Sequence, residues 1–253
     1  MKIAVCIKQV PTREWQPSLT EDRRWVRDTD IAYEMNEPDA YALEEGLRLK
    51  EKHGGEVVVV SAGPARVTQV VREALARGAD RAIHVQDDAL GAADAFAAAV
   101  AVAGAVEDEA FDIVLTGLQS DDQGHAQFGP VLAERLGIPH STIIMEVQIA
   151  DGRLRAKREL EGGWFQYVSM PLPSLLTIQS GINQLRYATL KGIMAAKKKE
   201  IRVVAPAAPV VSRVSVRALS MPRKSKQTVM VGGTPQEAAR ELVRRLREEA
   251  RAL

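Results

Sequence analysis

The sequence predicts an α/β fold: a mostly parallel sheet with helices on both faces, an antiparallel extension and a C-terminal arm ending in a helix. Three observations predict it. Short β-rich runs alternate with longer helical ones as far as Gly137, which is the grammar of βαβ units. Strand runs such as VVVV are uninterrupted apolar stretches, as expected of parallel strands covered on both faces. After Pro139 the texture changes to alternating strands around a turn, a hairpin pattern.

Taken in order, KIAVCIKQV reads as the first strand and EPDAYALEEGLRLKEKHGG holds the first helix. Ala40, Leu43 and Leu47 give that helix its apolar stripe, and Gly54 and Gly55 stop it. EVVVVSAG is the next strand, followed by a helix expected to begin at Pro64. RAIHVQD, an alanine-rich helix from about Ala92 to Val106, the strand DIVLTG and a helix ending near Leu136 repeat the pattern. STIIMEVQIADGRLRAKREL reads as two strands around an Asp151-Gly152 turn. WFQYVSM and SLLTIQS are expected to complete the antiparallel extension.

From Pro206 the composition shifts, through APAAPV and a polar stretch containing Pro222, to one last helix. Thr234 is its N-cap, Pro235 its first helical residue, and Glu237 closes a capping box. Ala239, Leu242, Val243, Leu246, Ala250 and Leu253 form one apolar face. That face either packs on the chain's own domain or docks on a partner subunit. The chain therefore divides into a Rossmann-like α/β domain over 1–205 and an arm over 206–253. Ligands in such sheets sit at the carboxyl ends of the strands.

Composition narrows the function. With 46% hydrophobic residues, the 253-residue chain can bury a sizeable core. Thirty-four Lys and Arg nearly balance thirty-three Asp and Glu, so no global field draws the chain to nucleic acid or an anionic membrane. The single cysteine, Cys6, rules out an intramolecular disulfide or a cysteine-based zinc site within one chain and fits a reducing cytoplasm. MKIAVCIKQV is too short for a signal h-region, and no apolar stretch reaches membrane-spanning length. A soluble, cytoplasmic protein without membrane insertion is expected.

The familiar catalytic signatures are missing. No G-x-G-x-x-G follows the first strand, no G-x-x-x-x-G-K-[ST] or G-x-S-x-G occurs, and His53, His84, His125 and His140 show no H-E-x-x-H spacing. An autonomous dehydrogenase, NTPase, hydrolase or zinc enzyme is not expected, and no catalytic or metal-ligating residue is assigned.

Two strand-to-helix turns do suit a nucleotide. In VVVVSAGPARV, Gly63 permits a tight turn and Pro64 starts the next helix, although most such turns are plain connections. TGLQSDDQGHAQFGP carries more information: Gly117 ends a strand, and Gly124 to Gln127 are expected to open a helix whose free N–H groups form a phosphate site. Asp121 and Asp122 would repel a phosphate if they pointed inward, so they are expected to cap the helix or hold a ribose hydroxyl. Asn36 either presents its amide to an adenine edge or ribose or is a plain turn residue. The run Lys197, Lys198 and Lys199 is either a solvated face or a surface for an acidic protein partner.

AVCIKQVP, MNEPDAYALEEGLRLKE, VVVVSAGPA with ALARGADRAIHV, AKRELEGGWFQYVSMPLPSLLTI and LRYATLKGIMAAKKKEI occur in that order. In these motifs, nearly end to end, the chain resembles the beta subunits of electron transfer flavoproteins. The resemblance implies an electron carrier subunit, not an enzyme. It would pair with an alpha subunit that holds most of the FAD, and would itself bury a structural AMP. It implies AMP contacts at Cys6, Asn36, Ala62 and the loop Asp121, Asp122, Gln123, Gly124, His125, Ala126 and Gln127, with the backbone N–H groups of Gly124 to Gln127 on the phosphate. Many relatives carry threonine where this chain has His125. That favours AMP over the second FAD of the electron-bifurcating members.

LRYATLKGIM looks like the family's recognition loop, placed here at 184–199, with Leu190 as the anchor and Tyr187, Ile193, Met194, Lys197 and Lys198 around it. Its alternative is that Leu185, Tyr187 and Leu190 pack as core. The resemblance implies that acyl-CoA dehydrogenases and related flavin dehydrogenases of fatty acid beta-oxidation donate electrons. Those electrons would pass toward the quinone oxidoreductase that accepts them from this carrier. The arm of 206–253 is expected to cross to the alpha subunit. Arg13 and Trp15 are candidates for touching the flavin. A stand-alone nucleotide-binding regulatory protein shares the α/β core but needs neither the extension nor the arm.

Overall fold

The computed structural model describes residues 1–150, 152–222 and 228–252. In chain order the elements are β1 (Lys2–Cys6), β2 (Gln9–Pro11), β3 (Tyr33–Met35), α1 (Glu37–His53), β4 (Glu56–Gly63), α2 (Thr68–Arg77), β5 (Arg81–Gln86), α3 (Ala95–Val106), β6 (Ile113–Gly117) and α4 (Phe128–Leu136). They continue with β7 (His140–Ala150), β8 (Arg153–Glu159), β9 (Phe165–Pro171), β10 (Ser174–Ile178), α5 (Leu190–Ala196), β11 (Ile201–Val204) and α6 (Pro235–Glu248). Nine strands form one sheet in the order β11-β5-β4-β1-β6-β10-β7-β8-β9, and β2 pairs with β3 apart from it.

Apolar strands dictate the layers. Along β4, Val57 and Val59 enter the core shared with α1 and α2, while Val58 and Val60 enter the core shared with α3 and α4. Side chains alternate across a strand, so only a run apolar at every position satisfies two helical layers. Each of these valines is essentially fully buried, which stabilises by about 1.5–3 kcal/mol apiece. In β1, Ile3 and Val5 face one layer and Ala4 and Cys6 the other. A Cβ on Gly46 would sit 2.9 Å from a Val5 methyl, so a glycine lets α1 lie close on the sheet.

SLLTIQS, expected in the antiparallel extension, instead forms β10 between β6 and β7 and runs parallel to both. All five of its residues are buried, as a central strand requires. The antiparallel part is β7-β8-β9. The helix expected from Pro64 starts at Thr68, after a short 3₁₀ turn at Ala65–Val67. The one expected from about Ala92 starts at Ala95, because Asp94 accepts a hydrogen bond from the Ala97 N–H at 2.8 Å and caps it there. Asp151 of the expected turn and Leu253 of the last apolar face lie outside the described residues.

The segment after β11 first lies on the α3 layer. Val210 packs against the α3 layer, and Asp94 accepts from the N–H groups of Arg213 at 2.5 Å and Val214 at 2.8 Å. The final helix starts as expected: Thr234 and Glu237 form a reciprocal capping box. Its described residues are all at least partly exposed, Leu242 at 51% and Val243 at 39%, so packing on its own domain does not cover its apolar face.

At the amino ends of the strands, Glu109 receives Arg81 at 2.7 Å, Arg202 at 2.8 Å and Lys2 at 2.9 Å. The Arg81 hydrogen bond, helped by Lys2, holds its carboxyl well below the usual range, at about 2. A depressed folded pKa stabilises above the unfolded value of about 4.3, and that contribution disappears as pH falls through the folded value. Glu109→Gln is expected to lower the urea midpoint at pH 7. The gap from the parent should close as pH falls from about 4.3 to about 2; a gap independent of pH would contradict this origin.

Candidate functional site

The sheet order changes direction between β1 and β6: β1 leads on to β4 on one side, and β6 has β10 on the other. Such a switch point opens a crevice at the carboxyl ends of the strands. Here the crevice is lined by the ends of β1, β4 and β6, with Cys6, Ala62 and Asn36 on its walls and His125, Ala126 and Gln127 at its rim.

Asp39 fastens the crevice. It lies in the first turn of α1, is 6% exposed, and accepts from the Gly117 N–H at 2.9 Å and the Lys8 N–H at 2.8 Å. One carboxylate thereby joins the ends of β6 and β1. Burial pushes it up to about 7, against the pull of those two N–H donors. A Cβ on Gly117 would fall 2.3 Å from the carboxylate oxygen, so that close approach needs glycine.

Three residues earlier, Asn36 is 1% exposed. Its amide donates to the Gln119 carbonyl at 2.9 Å and accepts from the Asp121 N–H at 2.9 Å, so it fixes the loop after β6. Lys8 completes the fastening: its ammonium reaches Asp122 at 2.7 Å, Gln123 at 3.1 Å and Ser120 at 3.3 Å. Burial would raise the Asp122 carboxyl, but the Lys8 charge and hydrogen bond outweigh it, and the group sits below its ordinary range. Asp121 lies 3.9 Å from Arg13, which also pairs with Glu37.

The helix expected to open at Gly124 starts at Phe128, with Gln127 at the N-cap and no side-chain cap. Neither Asp121 nor Asp122 caps it. The Gly124 N–H is taken, donating to the Ser120 carbonyl at 2.8 Å. The N–H groups of His125, Ala126 and Gln127 have no hydrogen-bond partner among the described residues. Ala126 adopts a left-handed φ of 54° beside Gln127 in the right-handed region. A left-handed residue next to a right-handed one turns successive N–H groups into one concavity, an anion-binding nest. For a residue with a Cβ that conformation is strained, and such strain concentrates at ligand sites. The Cys6 thiol is pushed up by burial, reinforced by Asp39; it is a wall, not a nucleophile.

The loop of 184–199 lies elsewhere, against α1 and α2. Tyr187 is 90% exposed, Leu190 84% and Met194 63%, with Ile193, Lys197 and Lys198 also exposed. Of the three residues that alternatively pack as core, only Leu185 touches it. Lys199 departs from the lysine run. Its ammonium donates to the carbonyls of Leu75 at 3.0 Å and Ala79 at 2.5 Å and closes the end of α2.

Asp39 and Lys8 are the residues that sequence reasoning missed. Asp39 reads as an ordinary first-turn acid, and Lys8 lies inside the run KIAVCIKQV that reads as the first strand, whereas β1 ends at Cys6. Among the described residues, no cluster of His, Cys, Asp and Glu could hold a metal, and no helix is long and apolar enough to cross a membrane.

Residues 24–209 match the family model described as electron transfer flavoprotein domain. The chain is 39% identical to an electron transfer flavoprotein subunit beta of Methylophilus methylotrophus, over 95% of this chain and 96% of that one. It is 38% identical to that of Syntrophomonas wolfei, over 96% and 94%. With that of Bacillus subtilis it shares 34% identity over the full length of both.

The Asp39 clamp is testable in isolation. An amide offers one acceptor oxygen where two N–H groups need one each, so Asp39→Asn is expected to cost about 1–3 kcal/mol. Urea unfolding at neutral pH measures it, and an unchanged midpoint would show that the clamp contributes nothing to stability.

Proposed function

We propose, since the chain belongs to the electron transfer flavoprotein beta-subunit family, that it is the AMP-binding, partner-docking half of a heterodimeric electron carrier. The observation that carries the AMP assignment is the nest of free N–H groups at 125–127, set at the switch point of the sheet. A phosphate needs several donors and no facing carboxylate. His125, Ala126 and Gln127 would supply the donors. The neighbouring acids are engaged, Asp122 by Lys8 and Asp121 near Arg13. The loop that places the nest is held by Asn36 and Lys8. Cys6 and Ala62 would flank the base, and Asn36 keeps one amide hydrogen beyond its bond to Gln119.

FAD, bound mainly by the alpha subunit, supplies the redox chemistry. This subunit's own part is to position and to dock. Leu190, with Tyr187 and Met194 beside it, offers an exposed apolar anchor, the kind of residue that concentrates binding energy in a small interface. A carrier must leave each partner, so a small contact with fast dissociation suits it better than a large one. Lys197 and Lys198 add charge that would steer the loop toward acidic surfaces of acyl-CoA dehydrogenases and related donors. From the flavin, electrons would pass to a quinone oxidoreductase. The uncovered apolar face of α6 is the surface that the alpha subunit would cover.

Native mass spectrometry of the complex purified from its own host, with small molecules identified after denaturation, tests this reading. The expected result is a one-to-one heterodimer with one FAD and one AMP. Two FADs would replace the AMP assignment with a bifurcating carrier, and a flavin-free homomer holding ATP or AMP would overturn the carrier reading.

A further inference from the structure

The docking surface is unusual in what lies beneath it. Leu190 and Tyr187 stand almost fully exposed, yet the chain that presents them is tied down on both sides. On one side, Arg186 lays its guanidinium between two carboxylates of α1, meeting Glu44 at 2.7 Å and Glu51 at 2.6 Å. Glu44 has a 5% exposed side chain. Burial would raise its carboxyl, but Arg186 and Arg48 hold it below the ordinary range. Arg48 also donates to the Gln184 carbonyl at 3.2 Å.

On the other side, α5 is fixed to α2. Thr189 caps α5 by accepting from the Gly192 N–H at 3.0 Å. A Cβ on Gly192 would fall 2.3 Å from the Ala76 carbonyl oxygen. Arg72 bonds the carbonyls of Ala196 at 2.6 Å and Lys199 at 2.8 Å. An exposed leucine on a loose loop would have to be ordered at every encounter, at a cost paid out of binding energy. A leucine on a fixed platform avoids that loss.

We infer that Arg186 is a positioning residue for docking: by bridging Glu44 and Glu51 of α1 it holds the 184–199 segment in the conformation that presents Leu190 to a partner protein. This rests on the docking role proposed for Leu190. The fork matters, not the charge alone: the guanidinium meets each carboxylate at two points, Glu44 through Nε and Nη2 and Glu51 through Nη1 and Nη2, a paired geometry that the single nitrogen of an ammonium does not reproduce.

The test uses the flavin-loaded heterodimer as electron acceptor for an acyl-CoA dehydrogenase, reading KM for the heterodimer and kcat separately. A double-mutant cycle pairs Arg186→Met with Leu190→Ala. Leu190→Ala is expected to raise KM about tenfold with kcat unchanged. Arg186→Met should raise it roughly fivefold alone and not at all in the Leu190→Ala background, because both act on one contact. Arg186→Lys should behave as Arg186→Met does. If loss of the buried pair prevents assembly, Glu51→Gln removes half of the bridge at an exposed site and carries the same cycle with a smaller rise.

A KM unchanged by the Arg186 and Glu51 variants, or raised equally in both backgrounds, would overturn the inference and leave the docking role standing. A KM unaffected by Leu190→Ala would instead overturn the docking role itself, and the inference with it. Flavin and nucleotide content, expected to stay at the parent level, separate either result from general damage.

Discussion

The crevice depends on one buried carboxylate shared between two strands. Parallel strands that part at a switch point leave their last N–H groups turned toward a gap, with no ladder partner across it. Asp39 supplies that partner to Lys8 and Gly117 at once. It can do so because it projects from the first turn of α1, where free N–H groups and the positive end of the helix favour a negative group. The loop after β6 is held from the same end of α1 and from Lys8. Asn36, one turn ahead of Asp39, holds the loop after β6. The ammonium of Lys8, whose backbone Asp39 holds, grips the loop further on. The nest at 125–127 is the end product of this chain of fixings.

The same helix holds the 184–199 segment. Asn36 and Asp39 occupy its amino end, while Glu44 and Glu51 face the segment that carries Leu190. Charged groups are consumed in pairs: Asp122 with Lys8, Glu44 with Arg186, Glu109 with Arg81. Each ties segments distant in sequence.

How much of this was legible in the sequence follows from range. The two-sided strands, the stop after α1 and the capping box of α6 are local patterns, and all three stand in the structure. Gly124 looks like a helix entry in the sequence, but its N–H is spent on Ser120 and α4 starts at Phe128. An apolar run of five such as β10 says nothing about its neighbours' direction; its place between β6 and β7 decides that. Asn36 was visible as a turn residue of interest, but its bonds to Gln119 and Asp121 cross more than eighty residues. Asp39 and Lys199 were unreadable for the same reason. Their partners are backbone groups, which leave no mark in a sequence.

Two of the exposed apolar surfaces differ in their supports. Leu190 stands on a platform bonded to α1 and α2. The face of α6 that bears Leu242 and Val243 has no such platform: the arm is pinned at Asp94, and the helix beyond it buries none of its described residues. Entropy assigns these surfaces different work. A preorganised anchor loses little freedom on binding, so a small contact suffices and release stays fast. A helix on a tether loses more when it docks, and only a broad apolar contact offsets that loss. On the reading proposed above, a partner met briefly and repeatedly belongs at Leu190, and a partner held for the life of the complex belongs on α6.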